Sequence, residues 1–88
     1  MRVRAEISMY PLRVTDLSRP VDEFCRTLQA EGLEVQISSM SSSVTGECEH
    51  VFKALQEAFE RSAEEYQVVM VSKISNACPE MSQDSGVQ

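Results

Sequence analysis

Apolar residues in this 88-residue chain recur at two different spacings, and the spacings follow one another in a telling order. From residue 2 to residue 10 the period is two. Val3, Ala5, Ile7 and Met9 fall on one side, and Arg4, Glu6, Ser8 and Tyr10 on the other, as in a strand with one buried face. Pro11 has no N–H to give to a ladder and is expected to close this strand. After Ser18-Arg19-Pro20 the period lengthens. Val21, Phe24, Cys25 and Leu28 stand at i, i+3, i+4 and i+7, the single apolar stripe of an amphipathic helix. Ser18 is its expected hydroxyl N-cap, Pro20 suits the first turn, Asp22 and Glu23 favour the positive end of the dipole, and Gly32 suits the left-handed residue that ends a helix. Period two returns from Leu33 to Ser38, with Val35 and Ile37 inward. The serine-rich stretch Ser39–Gly46 could be a flexible linker. It reads instead as a hairpin partner, with a tight turn near Ser39 and a strand over roughly 40–46 that puts Met40, Ser42 and Val44 on one face and Ser41, Ser43 and Thr45 on the other. Glu47–Glu65 is a second helix, with an inner stripe of Val51, Phe52, Leu55, Ala58, Phe59 and Ser62, and Tyr66–Ile74 is a last strand.

The order is therefore β-α-β-β-α-β, which makes the class α+β. Right-handed crossovers place both helices on the same side of one antiparallel sheet, with strands in the spatial order 4-1-3-2, a ferredoxin-like sandwich. Residues 1–76 are expected to form this single domain. Residues 77–88, rich in Ser, Gln, Asp and Gly, have nothing to bury and are expected to be a disordered tail.

Composition excludes several function classes. The formal charge of −6 comes without a basic cluster, a poor match to nucleic acid, whose affinity for proteins rests on Lys and Arg neutralising phosphates. The longest apolar run, Val68-Val69-Met70-Val71, is far short of the about 20 residues that cross a membrane. No apolar stretch follows the two N-terminal arginines, as a signal peptide would require. Cys25, Cys48 and Cys78 are an odd number, expected to be reduced thiols in a cytoplasmic protein. Cys48 and His50 could suggest a metal pair, but Cys-x-x-Cys spacing is absent and both are expected to be exposed at the start of an acidic helix. Cys25 lies on an apolar stripe and belongs to the core, as do Met9, Met40 and Met70. The glycines at 32, 46 and 86 stand too far apart for a phosphate loop, and the lone histidine has no visible nucleophile to serve. No enzymatic activity, cofactor or metal is expected.

With the helices on one sheet face, the other face must carry Arg4, Glu6, Ser8, Tyr10, Glu34, Gln36, Ser38, Ser41, Ser43 and Thr45. The first and third strands are central neighbours, so Glu6, Ser8 and Tyr10 are expected beside Ser41, Ser43 and Thr45. A carboxylate, several hydroxyls and one aromatic ring could hold a small polar cation. The same residues would also serve as a solvated sheet face. Against that, Val69 and Val71 lie opposite Val68 and Met70, so the last strand is apolar on both sides, and a second copy of the chain is the simplest cover.

Three segments, Ala5-Glu6-Ile7-Ser8-Met9-Tyr10-Pro11-Leu12, Ser39-Met40-Ser41-Ser42-Ser43-Val44-Thr45-Gly46, and Val51-Phe52-Lys53-Ala54-Leu55 after an acidic stretch, together resemble the small thiamine-binding family of the YkoF type over about residues 3–75. The resemblance implies a ferredoxin-like domain that pairs through its sheets into dimers or tetramers and binds thiamine or its hydroxymethylpyrimidine part without catalysis. Carried over position by position, it points to Glu6, Ser8 and Tyr10 in the first motif and to Ser39, Met40, Ser41, Ser43 and Thr45 in the second. Arg13 stands where the family often has glycine, so the loop after the first strand is expected to differ. The alternatives are a regulatory or structural oligomerisation module without a dedicated ligand, and an enzyme of the acylphosphatase type, which shares this topology.

Overall fold

The alternating periods resolve into β1 (Arg2–Leu12), α1 (Ser18–Ala30), β2 (Glu34–Ile37), β3 (Ser42–Glu47), α2 (Cys48–Glu65) and β4 (Gln67–Ser75), in a computed structural model that describes residues 1–38 and 41–77. The four strands form one antiparallel sheet in the order β2-β3-β1-β4, which is the expected order read from the other edge, and the fold is a ferredoxin-like α+β sandwich. β1 is central. It pairs with β3 from Arg2↔Glu47 to Ile7↔Ser42 and with β4 from Arg4↔Ser75 to Leu12↔Gln67.

The inward set of β1, Val3, Ala5 and Ile7, joins Val44 of β3 against Phe24 and Leu28 of α1 and Val51, Ala54, Leu55 and Ala58 of α2. Leu28 is fully buried, a site where truncation to alanine costs about 2–5 kcal/mol. Ser42 is buried too, with its Oγ 3.4 Å from the Cys25 Sγ, so the Cys25 thiol belongs to the core as expected. Gly46 is needed for closeness rather than for backbone freedom. A Cβ there would stand 2.6 Å from Leu33 Cδ2 and 3.5 Å from Val51 Cγ2.

Several local expectations are corrected. Pro11 does not close the first strand but lies inside β1, opposite Val68. Among the described residues pairing with β3 stops at Ile7, so there this stretch has β4 as its one strand neighbour, the edge-like setting that proline tolerates. Ser18 is not the hydroxyl cap of α1. Asp16 takes that part: its Oδ1 accepts the Ser18 hydroxyl at 2.7 Å and the Ser18 amide at 3.0 Å, and these bonds hold the Asp16 carboxyl below its usual range. Asp22 and Glu23 then fall beyond the first turn, and Glu23 pairs with Arg19 at 3.3 Å. Glu47 is the residue before α2 rather than its first turn, β3 begins at Ser42, and β4 runs one residue further on than expected at each end.

Ile37 has the inward parity of its neighbours yet is 60% exposed, because it ends the short edge strand β2. Phe52, at 52%, and Phe59 are exposed as well. The small residues Ala54 and Ala58 let α2 settle closely onto the sheet, and the stripe rotates to Val51, Ala54, Leu55, Ala58 and Ser62. The two phenylalanines flank an open apolar groove of about 670 Å³ along β4, beside Met70 and Ile74. Cys48 and His50 are half-buried rather than exposed, and Cys48 packs against the core. Ser39, Met40 and the tail expected over 77–88 lie, except for Ala77, outside the described residues, as does Cys78.

Arg13 takes φ +59°, the left-handed region, so the backbone that glycine favours is kept despite the arginine, whose guanidinium donates to Gln67 Oε1. Gly32 at φ +84° is the helix-ending residue expected.

Two stability outcomes are expected in urea unfolding. Gly46→Ala lowers stability by about 1–3 kcal/mol through overpacking against Leu33; an unchanged midpoint would contradict the close approach of Leu33 to β3. Arg13→Gly holds stability level or raises it by up to ~1 kcal/mol, since relief of left-handed strain offsets the lost hydrogen bond, whereas Arg13→Val lowers it.

Candidate functional site

Because strand side chains alternate, the parity that sends Val3, Ala5 and Ile7 into the core sends Arg4, Glu6, Ser8 and Tyr10 to the open face. The register then fixes each row across the sheet. One row runs Glu34, Thr45, Arg4, Ser75, and the next runs Gln36, Ser43, Glu6, Lys73. Toward the other end, Ser8 faces Val71, Tyr10 faces Val69 and Leu12 faces Gln67. The open face thus has a polar end, where all four strands contribute, and an apolar end made of Tyr10, Leu12, Val69 and Val71. Val69 and Val71 are 46% and 48% exposed.

At the polar end Ser41 Oγ donates to Glu6 Oε2 at 3.2 Å. Ser41 is itself fixed by the turn. Its carbonyl accepts both the Ser38 amide and the Ser38 hydroxyl, each at 2.9 Å, which closes the β2–β3 connection. Ser43 lies directly opposite Glu6. A shallow depression of about 310 Å³ opens beside them, lined by Arg4, Glu6, Ser43, Lys73, Ile74 and Ser75. Its chemistry is a carboxylate, two hydroxyls and two cationic side chains on one surface. It can exchange hydrogen bonds with a flat polar heterocycle and offers charges of both signs.

Of the residues singled out in the sequence, Glu6, Ser41 and Ser43 come together. Thr45 is one row away, opposite Arg4. Ser8 is half-buried in the row that faces Val71. Tyr10 stands apart from the hydroxyls: the β1–β3 pairing ends at Ile7, and its neighbour is Val69 on β4. Ser39 and Met40 lie outside the described residues. Lys73 and Ser75 were missed. Their signal was available, since they share parity with Val69 and Val71, but placing Lys73 beside Glu6 requires the β1–β4 register. Arg4 was assigned to the face but not to the site. Among the described residues no group of three His, Cys, Asp or Glu side chains is gathered as for a metal, and no helix is long and apolar enough to cross a membrane.

Comparison with solved structures finds the same fold in distant chains. A hypothetical protein from Methanocaldococcus jannascii superposes with a TM-score of 0.81 at 24% identity, over 91% of this chain and 84% of that one. A domain of unknown function from Bacillus cereus gives 0.75 at 19% identity, over 85% of this chain and 75% of that one. A "putative thiamine biosynthesis/salvage protein" from Thermotoga maritima gives 0.76 at 19% identity, over 84% of this chain and 82% of that one. No curated protein matches the chain.

Expected for this site is a looser turn when one of its bonds is cut: Ser38→Ala should speed amide exchange at Ser38 several-fold in NMR while leaving the core amides of β1 unchanged, and unchanged exchange at Ser38 would contradict the role of its hydroxyl in closing the turn.

The family model described as the YKOF-related family matches residues 2–81, and with the four-stranded ferredoxin-like sheet in place the chain belongs to that family.

Proposed function

We propose that this protein is a non-enzymatic binding protein for thiamine or a related hydroxymethylpyrimidine, acting in the cytoplasm as a homo-oligomer, a dimer or tetramer assembled through its sheets. The observation that carries the reading is the hydrogen bond from Ser41, just before β3, to Glu6 on β1, with Ser43 of β3 opposite Glu6 on the open face. An aminopyrimidine presents an exocyclic amine and ring nitrogens along one edge. A carboxylate accepts from the amine, and hydroxyls donate to or accept from the ring. Membership of the YKOF-related family and the fold shared with the Thermotoga maritima protein support the same ligand class.

The apolar end of the face supports self-association. Tyr10, Leu12, Val69 and Val71 are exposed together next to the polar depression, and a second copy laid over this end would cover them and wall the site. That patch also favours a second reading, an oligomerisation module without a dedicated ligand.

Calorimetric titration with thiamine and with hydroxymethylpyrimidine is expected to give saturable heat, and absence of both heat and thermal shift at millimolar ligand would overturn the ligand reading. The double variant Ser41→Ala, Ser43→Ala separates the two readings. Lost binding with an intact oligomer supports the first, and lost assembly supports the second. By light scattering the wild-type chain is expected to exceed its monomer mass of 9.9 kDa at micromolar concentration, while Val71→Glu shifts it toward monomer.

A further inference from the structure

The charges around the depression do not follow those of the chain. Eight Lys and Arg stand against fourteen Asp and Glu overall, yet the depression brings Arg4 and Lys73 to a single carboxylate, that of Glu6. Glu6 and Lys73 are direct cross-strand partners on the same face, a position where opposite charges commonly pair. Here they do not. The Glu6 carboxylate is engaged by the Ser41 hydroxyl, toward β3 and away from β4. The ion pairs of the described residues join Met1 to Glu47, Arg19 to Glu23 and Arg61 to Glu57, and neither Arg4 nor Lys73 takes part in one. The next acid in the row of Arg4 is Glu34, beyond Thr45 and two strands away. Two strand spacings come to roughly 9–10 Å, about the screening length at physiological salt. The β4 side of the depression is therefore a local positive site on an acidic protein, with the hydroxyls of Ser43 and Ser75 at its wall.

We propose that Arg4 and Lys73 form an anion subsite and that the preferred ligand carries a phosphate ester, its heterocycle against Glu6, Ser41 and Ser43 and its phosphate against the two cations. This rests on the reading of the open face as a pyrimidine site and adds the form in which the ligand is taken. The geometry is divided as such a ligand requires, with the acceptor on the β3 side of β1 and the cations on the β4 side. A thiazolium ring alone would find no charge match beside Arg4 and Lys73, whereas a phosphate ester supplies one.

The test compares four ligands by calorimetry on the full chain at low and at physiological salt: hydroxymethylpyrimidine, thiamine, and the phosphate monoester of each. Each ester is expected to bind about tenfold more tightly than its parent alcohol, with an advantage that shrinks as salt rises. Lys73→Gln and Arg4→Gln, both at solvent-accessible strand positions, should remove most of that advantage, bringing each ester to within about twofold of its own parent alcohol in the same variant. Equal affinities for ester and alcohol, or an advantage that survives both substitutions, would overturn the subsite and leave the pyrimidine reading standing. Failure of all four ligands to bind would overturn that reading and the subsite with it.

Discussion

The register of β1 is the constraint on which the rest of the protein depends. One strand supplies Val3, Ala5 and Ile7 to the core and Arg4 and Glu6 to the open face, and it is paired on both sides while doing so. A slip of a single residue would exchange the two sets, burying Arg4 and Glu6 under the helices. The core therefore fixes the site. With Ala5 and Val44 opposite each other beneath the helices, Glu6 must stand opposite Ser43 on the other side, and the β4 pairing must bring Lys73 to the same row.

Polarity divides the open face along its length. Where four strands lie side by side, the rows are hydroxyl, amide and charge. Past Ile7, where among the described residues β1 pairs with β4 alone, the rows are Tyr10 with Val69 and Leu12 beside Gln67. In the proposed function, self-association draws on the second end and ligand binding on the first. A polar site bordered by an apolar patch of the same molecule gains exclusion of water when the patch is covered, which strengthens its hydrogen bonds and charge contacts. Assembly and binding are thus physically linked in the proposed function.

Much of this was legible in the sequence, because alternation and helical stripes report burial directly. The sheet order, the two faces and the placing of Ser43 near Glu6 all follow from period and topology. What escaped depended on geometry that no single segment encodes. Phe52 and Phe59 read as core because they sit beside the apolar stripe of α2, but Ala54 and Ala58 draw the helix in and turn the phenylalanines to its flank. Tyr10 was placed beside the hydroxyls because β3 was taken to reach further. Its pairing stops at Ile7, and among the described residues β1 continues through Pro11 with β4 as its one partner. Lys73 was missed because its neighbour Glu6 is 67 residues away in the chain and meets it only through the β1–β4 register. The backbone at Arg13 escaped as well: the arginine was read as a sign of a different loop, whereas the residue takes the left-handed φ that glycine favours, with a side chain that must tolerate it.

The central claim is that the polar end of the open face is where this protein meets its ligand. An amide-shift NMR titration with hydroxymethylpyrimidine tests it residue by residue. Shifts concentrated at Arg4–Ser8, Ser41–Thr45 and Lys73–Ser75 are the expected result. Shifts gathered instead along the α2–β4 groove at Phe52, Phe59 and Met70, with the open face unmoved, would contradict it.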